Sequence, residues 1–123
     1  MLKLVIPGPL PGLNEYIEAE RQHRQKGAAL KRDTQAVVAA AVKRQLRGVR
    51  LAGPVTMRYL WVERDRRRDK DNVSSFGRKV VQDALVKAGV LHNDGWADIT
   101  GFSDEFAVDK LHPRVEITIE EEP

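Results

Sequence analysis

The element order of this chain is indicated most clearly by residues 66–96, which have the sequence RRRDKDNVSSFGRKVVQDALVKAGVLHNDGW. A charged connector at 66–71 leads into a helical pattern over 72–87, where apolar side chains recur every three to four residues. Ala88-Gly89 supplies a helix stop, and Asn93-Asp94-Gly95 is typical of a tight turn. The stretch therefore predicts a helix with one buried face, followed by a turn that returns the chain towards that helix.

Strand patterns lie on both sides of this helix. Val55, Met57, Tyr59 and Trp61 alternate with other residues and predict a strand with a fully buried face. Further strands are predicted at 2–6, 99–108 and 115–119. We expect the last two to form a hairpin across residues 109–114, with 115–119 as an edge strand.

Between the first two strands the sequence predicts helical structure. A polar helix over 15–25 ends near Gly27, and a second helical pattern covers 31–47. Its predicted apolar face consists of Ala36, Val37, Ala40, Ala41, Arg44 and Leu46. The coarse order is β-α-β-α-β-β. We expect an α+β (mixed α/β) class: one domain over residues 1–123, with a small mixed sheet packed against helices.

Composition excludes several kinds of protein. The chain has 123 residues, of which 41% are hydrophobic and 32% charged, as in soluble globular domains. It has no cysteine, which excludes disulfides, thiol nucleophiles and zinc-thiolate sites. No apolar run approaches the roughly 20 residues that span a bilayer, and the N-terminus lacks a signal-peptide core. We expect a cytoplasmic protein without a membrane partner.

Charge is distributed unevenly along the chain. The net charge is only +3, but residues 1–50 carry +6, residues 51–82 carry +4 and residues 83–123 carry −7. A basic first two-thirds indicates a polyanionic partner, most commonly nucleic acid, although solvated helix faces give the same pattern.

Two carboxylates follow the arginines Arg66, Arg67 and Arg68. If the chain is extended there, Asp69 and Asp71 point to the same side, with Cβ atoms about 6.6 Å apart, and can share a hard cation. Oxygen ligands favour Mg²⁺ or Mn²⁺ over zinc. The alternative is structural: Asp71 as the N-cap of the helix and Asp69 as a surface ion-pair partner.

Further charged residues lie along the helix and after it. Lys79 and Asp83 are separated by four residues, so they form either an ordinary ion pair or part of a site. Asp94 in the turn is either turn chemistry or a third acid brought back beside the helix. Trp61 is expected in the core, and Trp96 is a candidate for contact with DNA or a partner subunit.

These motifs, taken in order, resemble the RusA family of Holliday junction resolvases. The family pattern Arg-Asp-x-Asp-Asn matches 68–72, its Lys four residues before Asp-Ala-Leu matches Lys79, and its acidic turn matches Asp94. The resemblance is strong over 66–96 and weaker near the N-terminus. It implies metal-binding aspartates at Asp69, Asp71 and Asp94 with Asp83 as a possible addition, and a catalytic lysine at Lys79. DNA-binding positions are expected at Arg24, Lys31, Arg66, Arg67, Arg68 and Asn72.

The resemblance also implies an activity. We expect a homodimeric, Mg²⁺-dependent endonuclease (Mn²⁺ a possible substitute) that resolves four-way junction DNA by paired symmetrical cuts in recombination and repair. Counting forward from Asn72 puts the family's lysine at Ser75 rather than Lys79, and Asn93 stands where many members have another Asp. The alternatives are a non-catalytic DNA-binding protein of the same fold, and a nuclease for other branched DNA.

Overall fold

Four strands and three helices follow one another along the chain. The structure, a computed structural model, describes all 123 residues. The elements are β1 (Leu2–Pro7), α1 (Leu13–Gln22), α2 (Arg24–Gln45), β2 (Val55–Glu63), α3 (Lys70–Lys87), β3 (Ile99–Val108) and β4 (Arg114–Glu121). The α+β class is confirmed. The order fits the expectation, since the two helices before β2 correspond to the two helical segments predicted there.

The strands form one mixed sheet in the order β1-β4-β2-β3. β4 pairs antiparallel with β1 on one side and with β2 on the other, whereas β3 runs parallel to β2. The expected hairpin between the last two strands is therefore wrong, because β2 lies between them. The edge assignment of 115–119 is wrong as well: β4 is internal, and β1 and β3 are the edges.

The helices bury the apolar face of the sheet. Val55, Met57, Tyr59 and Trp61 are buried as predicted, and they belong to one hydrophobic cluster of 21 residues. The predicted face of α3 is confirmed, with its buried side chains drawn from Val73, Phe76, Val80, Val81 and Leu85. This packing fixes α3 against β2, which places the charged side of α3 along one side of the molecule.

The first helical region divides at His23 rather than at Gly27. The Nδ1 atom of His23 accepts a hydrogen bond of 3.0 Å from the backbone N–H of Gln25 and so caps α2. Gly27 lies inside α2, where an added Cβ would collide with the side chain of Glu20 on α1.

The predicted buried face of the second helix is displaced. Thr34, Val38, Ala41 and Val42 are buried, whereas Ala36, Val37 and Ala40 are exposed. Of the predicted apolar face, Ala41 and Leu46 lie in the core. None of the helices is both long and apolar enough to cross a membrane.

Candidate active site

Asp69 and Asp71 lie at the N-terminus of α3. The helix begins at Lys70, two residues earlier than predicted, so Asp69 is the N-cap residue and Asp71 lies in the first turn. The expectation that the two carboxylates lie on an extended chain is wrong, because only Asp69 has extended backbone angles. Asp71 is not the N-cap either.

Neither carboxylate performs the expected structural task. Asp69 makes no side-chain capping hydrogen bond. No cationic side chain lies within 4.0 Å of the Asp69 or Asp71 carboxylate, although arginines precede both residues in sequence. Both residues are exposed. Their one visible structural contribution is negative charge at the positive end of the helix dipole, worth about 0.3–1 kcal/mol.

A cavity of about 460 Å³ opens beside Asp69. Arg66, Lys70 and Phe106 line it, together with residues at the carboxyl ends of the parallel strands β2 and β3. Ligands of α/β sheets commonly bind outside the carboxyl ends of parallel strands, near a helix N-terminus. The position of Asp69 is therefore one that suits a bound phosphate or cation.

Lys79 joins two further carboxylates on the same side of α3. Its Nζ lies 3.0 Å from Oδ1 of Asp83 and 3.3 Å from Oδ2 of Asp94. The turn after α3 thus returns Asp94 beside the helix. Hydrogen bonds first to Asp83 and then to Asp94 raise the pKa of Lys79 above its ordinary value of 10.5, so the ammonium is protonated at neutral pH.

The two candidate positions for the family's lysine, Ser75 and Lys79, have different surroundings. The Ser75 hydroxyl donates to the backbone carbonyl of Asp71 at 2.8 Å and does not contact a carboxylate. Lys79, one turn later, contacts two carboxylates. The Asn93 side chain is engaged locally, since its Oδ1 accepts the backbone N–H of Asp94 at 2.9 Å.

The four acids lie in two pairs rather than in one cluster. Asp71 and Lys79 are eight residues apart on α3, which corresponds to about 12 Å along the helix axis. No group of three or more His, Asp or Glu side chains lies close enough together to hold a metal ion. The donor atoms are the oxygens that Mg²⁺ prefers, but the structure does not assemble Asp69, Asp71 and Asp94 at one point. The metal assignment stays a prediction.

The three arginines of the connector have different surroundings. Arg66 and Arg67 are exposed, and Arg67 has only a loose contact of 3.6 Å with Asp65. Arg68 is mostly buried, and its guanidinium donates to Glu63 at 2.7 and 2.9 Å, to Glu15 at 2.7 Å and to the Leu10 carbonyl at 3.1 Å. Arg68 therefore ties the N-terminal loop and α1 to the connector.

Asn72 holds α1 against α3. Its Oδ1 accepts the backbone N–H of Asn14 at 2.7 Å, in the first turn of α1. The N-cap residue of α1 is Gly12, which has no side chain to make such a bond, and a Cβ there would lie 2.7 Å from Asn72 Oδ1. Asn72 thus supplies the cap from another helix.

The remaining predicted DNA-binding residues lie on α2. Arg24 is the first residue of the helix and Lys31 lies two turns later; both are exposed and neither has an ion-pair partner within 4.0 Å. The structure leaves both side chains available to an anion.

Sequence reasoning missed the network that supports α3. Asp104 on β3 accepts a hydrogen bond of 2.9 Å from Trp61 Nε1 and one of 2.6 Å from Arg78 Nη1. The sequence contained a signal for this network. Asp104 shares one face of a strand with Phe102 and Phe106, and a carboxylate on an inward face needs a partner. The network binds α3, one residue before Lys79, to the edge strand.

Comparison with known proteins decides the family. The family model described as Endodeoxyribonuclease RusA matches residues 8–120. The chain belongs to the RusA family. No curated protein matches the chain significantly. The match covers all three helices and most of the sheet, so it includes both carboxylate pairs and the connector arginines.

RusA membership gives the site its chemical context. The family consists of endodeoxyribonucleases, and membership implies an endonuclease that acts on Holliday junctions. The resemblance carried by residues 66–96 is thereby confirmed. The exposed basic side chains and the unpaired carboxylates of α3 are accordingly the groups to consider for DNA binding and hydrolysis.

Proposed function

We propose that this RusA-family chain is a metal-dependent endonuclease that resolves four-way junctions by paired symmetrical phosphodiester hydrolysis, in recombination and repair. The observation that carries the proposal is the state of Asp69 and Asp71. Two exposed carboxylates without a capping bond or an ion pair stand at a helix N-terminus among arginines. The only structural contribution that the fold gives them is their negative charge at the helix N-terminus.

The proposed cofactor is Mg²⁺, with Mn²⁺ as a substitute. Asp69, Asp71 and Asp94, with Asp83 as a possible addition, offer carboxylate oxygens to it. Such an ion polarises a phosphoryl oxygen and lowers the pKa of a bound water. Lys79 is the proposed catalytic lysine: its protonated ammonium, already held by Asp94, is suited to neutralise charge that develops on a phosphate.

The DNA backbone is proposed to contact the exposed basic residues Arg24, Lys31, Arg66 and Arg67. The resemblance also assigns Arg68 and Asn72 to DNA binding. The Arg68 guanidinium and the Asn72 amide oxygen form hydrogen bonds within the protein, so we assign these two residues to positioning α1 and the connector. Structural recognition of a junction relies mainly on phosphate contacts of this kind.

A homodimer is the proposed active form. A four-way junction has approximate two-fold symmetry, so a two-fold dimer presents one site to each of two opposed strands. Two cuts related by that symmetry leave two nicked duplexes.

A non-catalytic DNA-binding protein is the main alternative, and one observation favours it. No three potential metal ligands are assembled in the structure. The alternative predicts junction binding without cleavage by the wild type in either metal, so a cleavage assay separates the two proposals.

The deciding experiment is a cleavage assay on a synthetic mobile four-way junction with Mg²⁺, Mn²⁺ or EDTA, with product mapping. We expect paired cuts with either metal and none in EDTA. Asp71→Asn should reduce cleavage by at least about a hundredfold while junction binding persists and stability changes by less than about 1 kcal/mol. Asp33→Asn, at an exposed carboxylate on α2, is the matched control and should cut normally.

Two outcomes would contradict the proposal. Unchanged cutting by the Asp71→Asn variant would remove the assigned role of that carboxylate. Equal cutting of linear duplex, flap and junction at one concentration would favour a nuclease for other branched DNA over a dedicated resolvase.

A further inference from the structure

The two tryptophans of the chain have opposite environments. Trp61 is 1% exposed in the core, whereas Trp96 is 99% exposed in the turn after α3. A fully exposed tryptophan gains nothing from burial in the isolated chain, and this residue type is enriched where an aromatic surface binds a partner. Trp96 follows Asp94 by two residues, so it stands beside the Lys79 ion pairs.

Trp96 borders an open cavity of about 300 Å³, which Asp94, Gln82 and Phe102 also line. Because Asp94 belongs both to this cavity and to the ion pair with Lys79, the cavity opens directly from the proposed catalytic region. A phosphate bound at Lys79 would therefore lie next to this cavity.

One wall of the cavity is rigid. Phe102 is 51% exposed, and its ring is held from behind by the Arg78 guanidinium, 4.6 Å from the ring centroid, and by the edge of Tyr59. Arg78 is in turn fixed by its 2.6 Å hydrogen bond to Asp104. The exposed part of the Phe102 ring is therefore a preorganised aromatic surface.

The cavity also offers a polar group to a base edge. Gln82 Nε2 donates to the Tyr59 hydroxyl at 3.2 Å, which leaves the amide oxygen as an acceptor. The Tyr59 hydroxyl donates to the Met57 sulfur at 3.5 Å, so its oxygen is the acceptor for the Gln82 amide.

We propose that this cavity binds an unstacked nucleobase of the junction, which stacks on Trp96 against the wall formed by Phe102, with Gln82 at its edge. The inference rests on the proposed function, since it requires junction DNA at Lys79. Every base has an aromatic face, so stacking of this kind does not depend on the identity of the base, and a base that is already unpaired costs least to unstack.

The alternative occupant is a second copy of the chain. A stable dimer buries about 800 Å² on each partner, and the centre of such an interface is depleted of charge. Here the Asp94 carboxylate lines the cavity, with the Lys79 ammonium bonded to it. A charged, open cavity with two exposed aromatic rings suits a base better than a dimer interface.

Intrinsic fluorescence tests the proposal without cleavage, because Trp61 and Trp96 are the only two tryptophans. A four-way junction is titrated in EDTA while emission and acrylamide quenching are recorded, and a gel-shift assay reports binding independently. We expect the junction to quench the Trp96 emission and shield it from acrylamide, and the Trp96→Phe variant, which reports Trp61 alone, to show neither effect.

Affinity measurements supply the second test. Trp96→Ala should weaken junction binding about tenfold, and Trp96→Phe should restore most of the loss. Leu111→Ala, which removes another highly exposed apolar side chain from the loop between β3 and β4, is the matched control and should bind normally.

The outcomes separate this inference from the proposed function. A gel shift without quenching, or unchanged affinity for Trp96→Ala, overturns the base site while DNA binding stands. Failure of the wild type to shift the junction overturns both. A blue shift of the Trp96 emission at high protein concentration without DNA identifies a second copy as the occupant and also overturns the base site.

Discussion

At the scale of single residues, Asn72 shows how a motif position acquires a structural task. The resemblance assigns it to DNA, yet its amide oxygen caps α1 from α3, next to a glycine that leaves room for it. The sequence contains both Gly12 and Asn72 but no pattern that relates residues 60 positions apart. Such a contact becomes visible only when the fold is known.

This contact leads to a prediction for Asn72. Replacement by Ala removes the acceptor and should lower the free energy of unfolding by about 1 kcal/mol, whereas Asp keeps an acceptor at the helix N-terminus and should restore it. Urea denaturation of the three proteins measures the difference. Equal stability of the Ala variant and the wild type would contradict the capping role.

For the charged residues too, contacts within one helix could be predicted from the sequence, whereas contacts between distant parts of the chain could not. The Lys79–Asp83 pair is a local contact, four residues apart on one helix, and it was predictable from spacing alone. The burial of Arg68 depends on Glu15 and Leu10, more than 50 residues away. The three consecutive arginines alone therefore do not predict that Arg68 is mostly buried while its neighbour Arg67 is exposed.

At the scale of elements, strong hydrophobic periodicity predicted the buried face of a helix or strand correctly, and weak periodicity did not. The buried faces of β2 and α3 follow from large apolar side chains at regular spacing. In α2 the alanines give all faces of the helix a similar hydrophobicity. The prediction therefore placed Val37 in the buried face, whereas Val38 and Val42 are the buried residues. A displacement of one residue corresponds to about 100° around a helix.

The strand order was missed for a different reason. The short predicted connection over residues 109–114 suggested a hairpin between β3 and β4. However, Val115, Ile117 and Ile119 are buried, whereas β3 contains exposed Ser103 and Glu105. The more apolar strand occupies the centre of the sheet and the more polar one its edge, a preference that outweighs proximity in sequence.

The packing of α3 on β2 depends on Gly77. A Cβ at this position would lie 3.0 and 3.1 Å from ring atoms of Trp61, whose indole is fixed by its hydrogen bond to Asp104. Gly77→Ala gains about 1 kcal/mol in helix propensity but should lose about 1–3 kcal/mol through overpacking. We expect a net loss of about 1 kcal/mol, seen as a fall of roughly 4 °C in Tm.

Gly53→Ala is the matched control for Gly77. The nearest atom to its added Cβ is 3.6 Å away, so its Tm should change little. A stabilised Gly77→Ala variant would show that the indole of Trp61 moves aside. The same variant should lower cleavage, because α3 carries Lys79.

The β1–β4 pair predicts the response to acid. Hydrogen bonds from Lys3 and then Arg114 hold the pKa of Glu116 below its ordinary value of 4.5. A carboxyl with a lowered pKa in the folded state contributes stability above its unfolded pKa, and that contribution is lost as the pH falls through the folded pKa. Stability should therefore decline below about pH 4.5, and less steeply in Glu116→Gln.

Urea denaturation between pH 7 and pH 2.5 measures this dependence. Asp109, whose pKa is lowered chiefly by the backbone N–H of His112, titrates in the same range, so part of the decline should persist in Glu116→Gln. Identical pH profiles for the variant and the wild type would contradict the assignment.

At the scale of the whole molecule, the net charge of +3 results from a basic N-terminal part and an acidic C-terminal part, and these two parts also differ in how their charges are paired in the fold. Several acids of the C-terminal third are neutralised by specific partners, such as Asp104 by Arg78 and Glu116 by Lys3. The basic residues of α2, by contrast, have no ion-pair partner within 4.0 Å: Arg24, Lys26, Lys31, Arg32, Lys43 and Arg44. Much of the uncompensated positive charge therefore lies on α2 and on the connector before α3.

The unpaired basic residues predict how DNA binding responds to salt. The four proposed phosphate contacts of each protomer in a dimer (Arg24, Lys31, Arg66 and Arg67) give a slope of about −7 for log K against log salt. Arg24→Ala should reduce that slope by about 2, one contact for each protomer. Lys3→Ala removes the same charge from a residue already paired with Glu116 at 2.9 Å, so its slope should equal that of the wild type. Gel-shift titrations from 50 to about 200 mM salt give all three slopes. If both variants lower the slope equally, the net charge of the chain rather than the α2 surface governs binding, and the assignment of Arg24 to a phosphate contact fails.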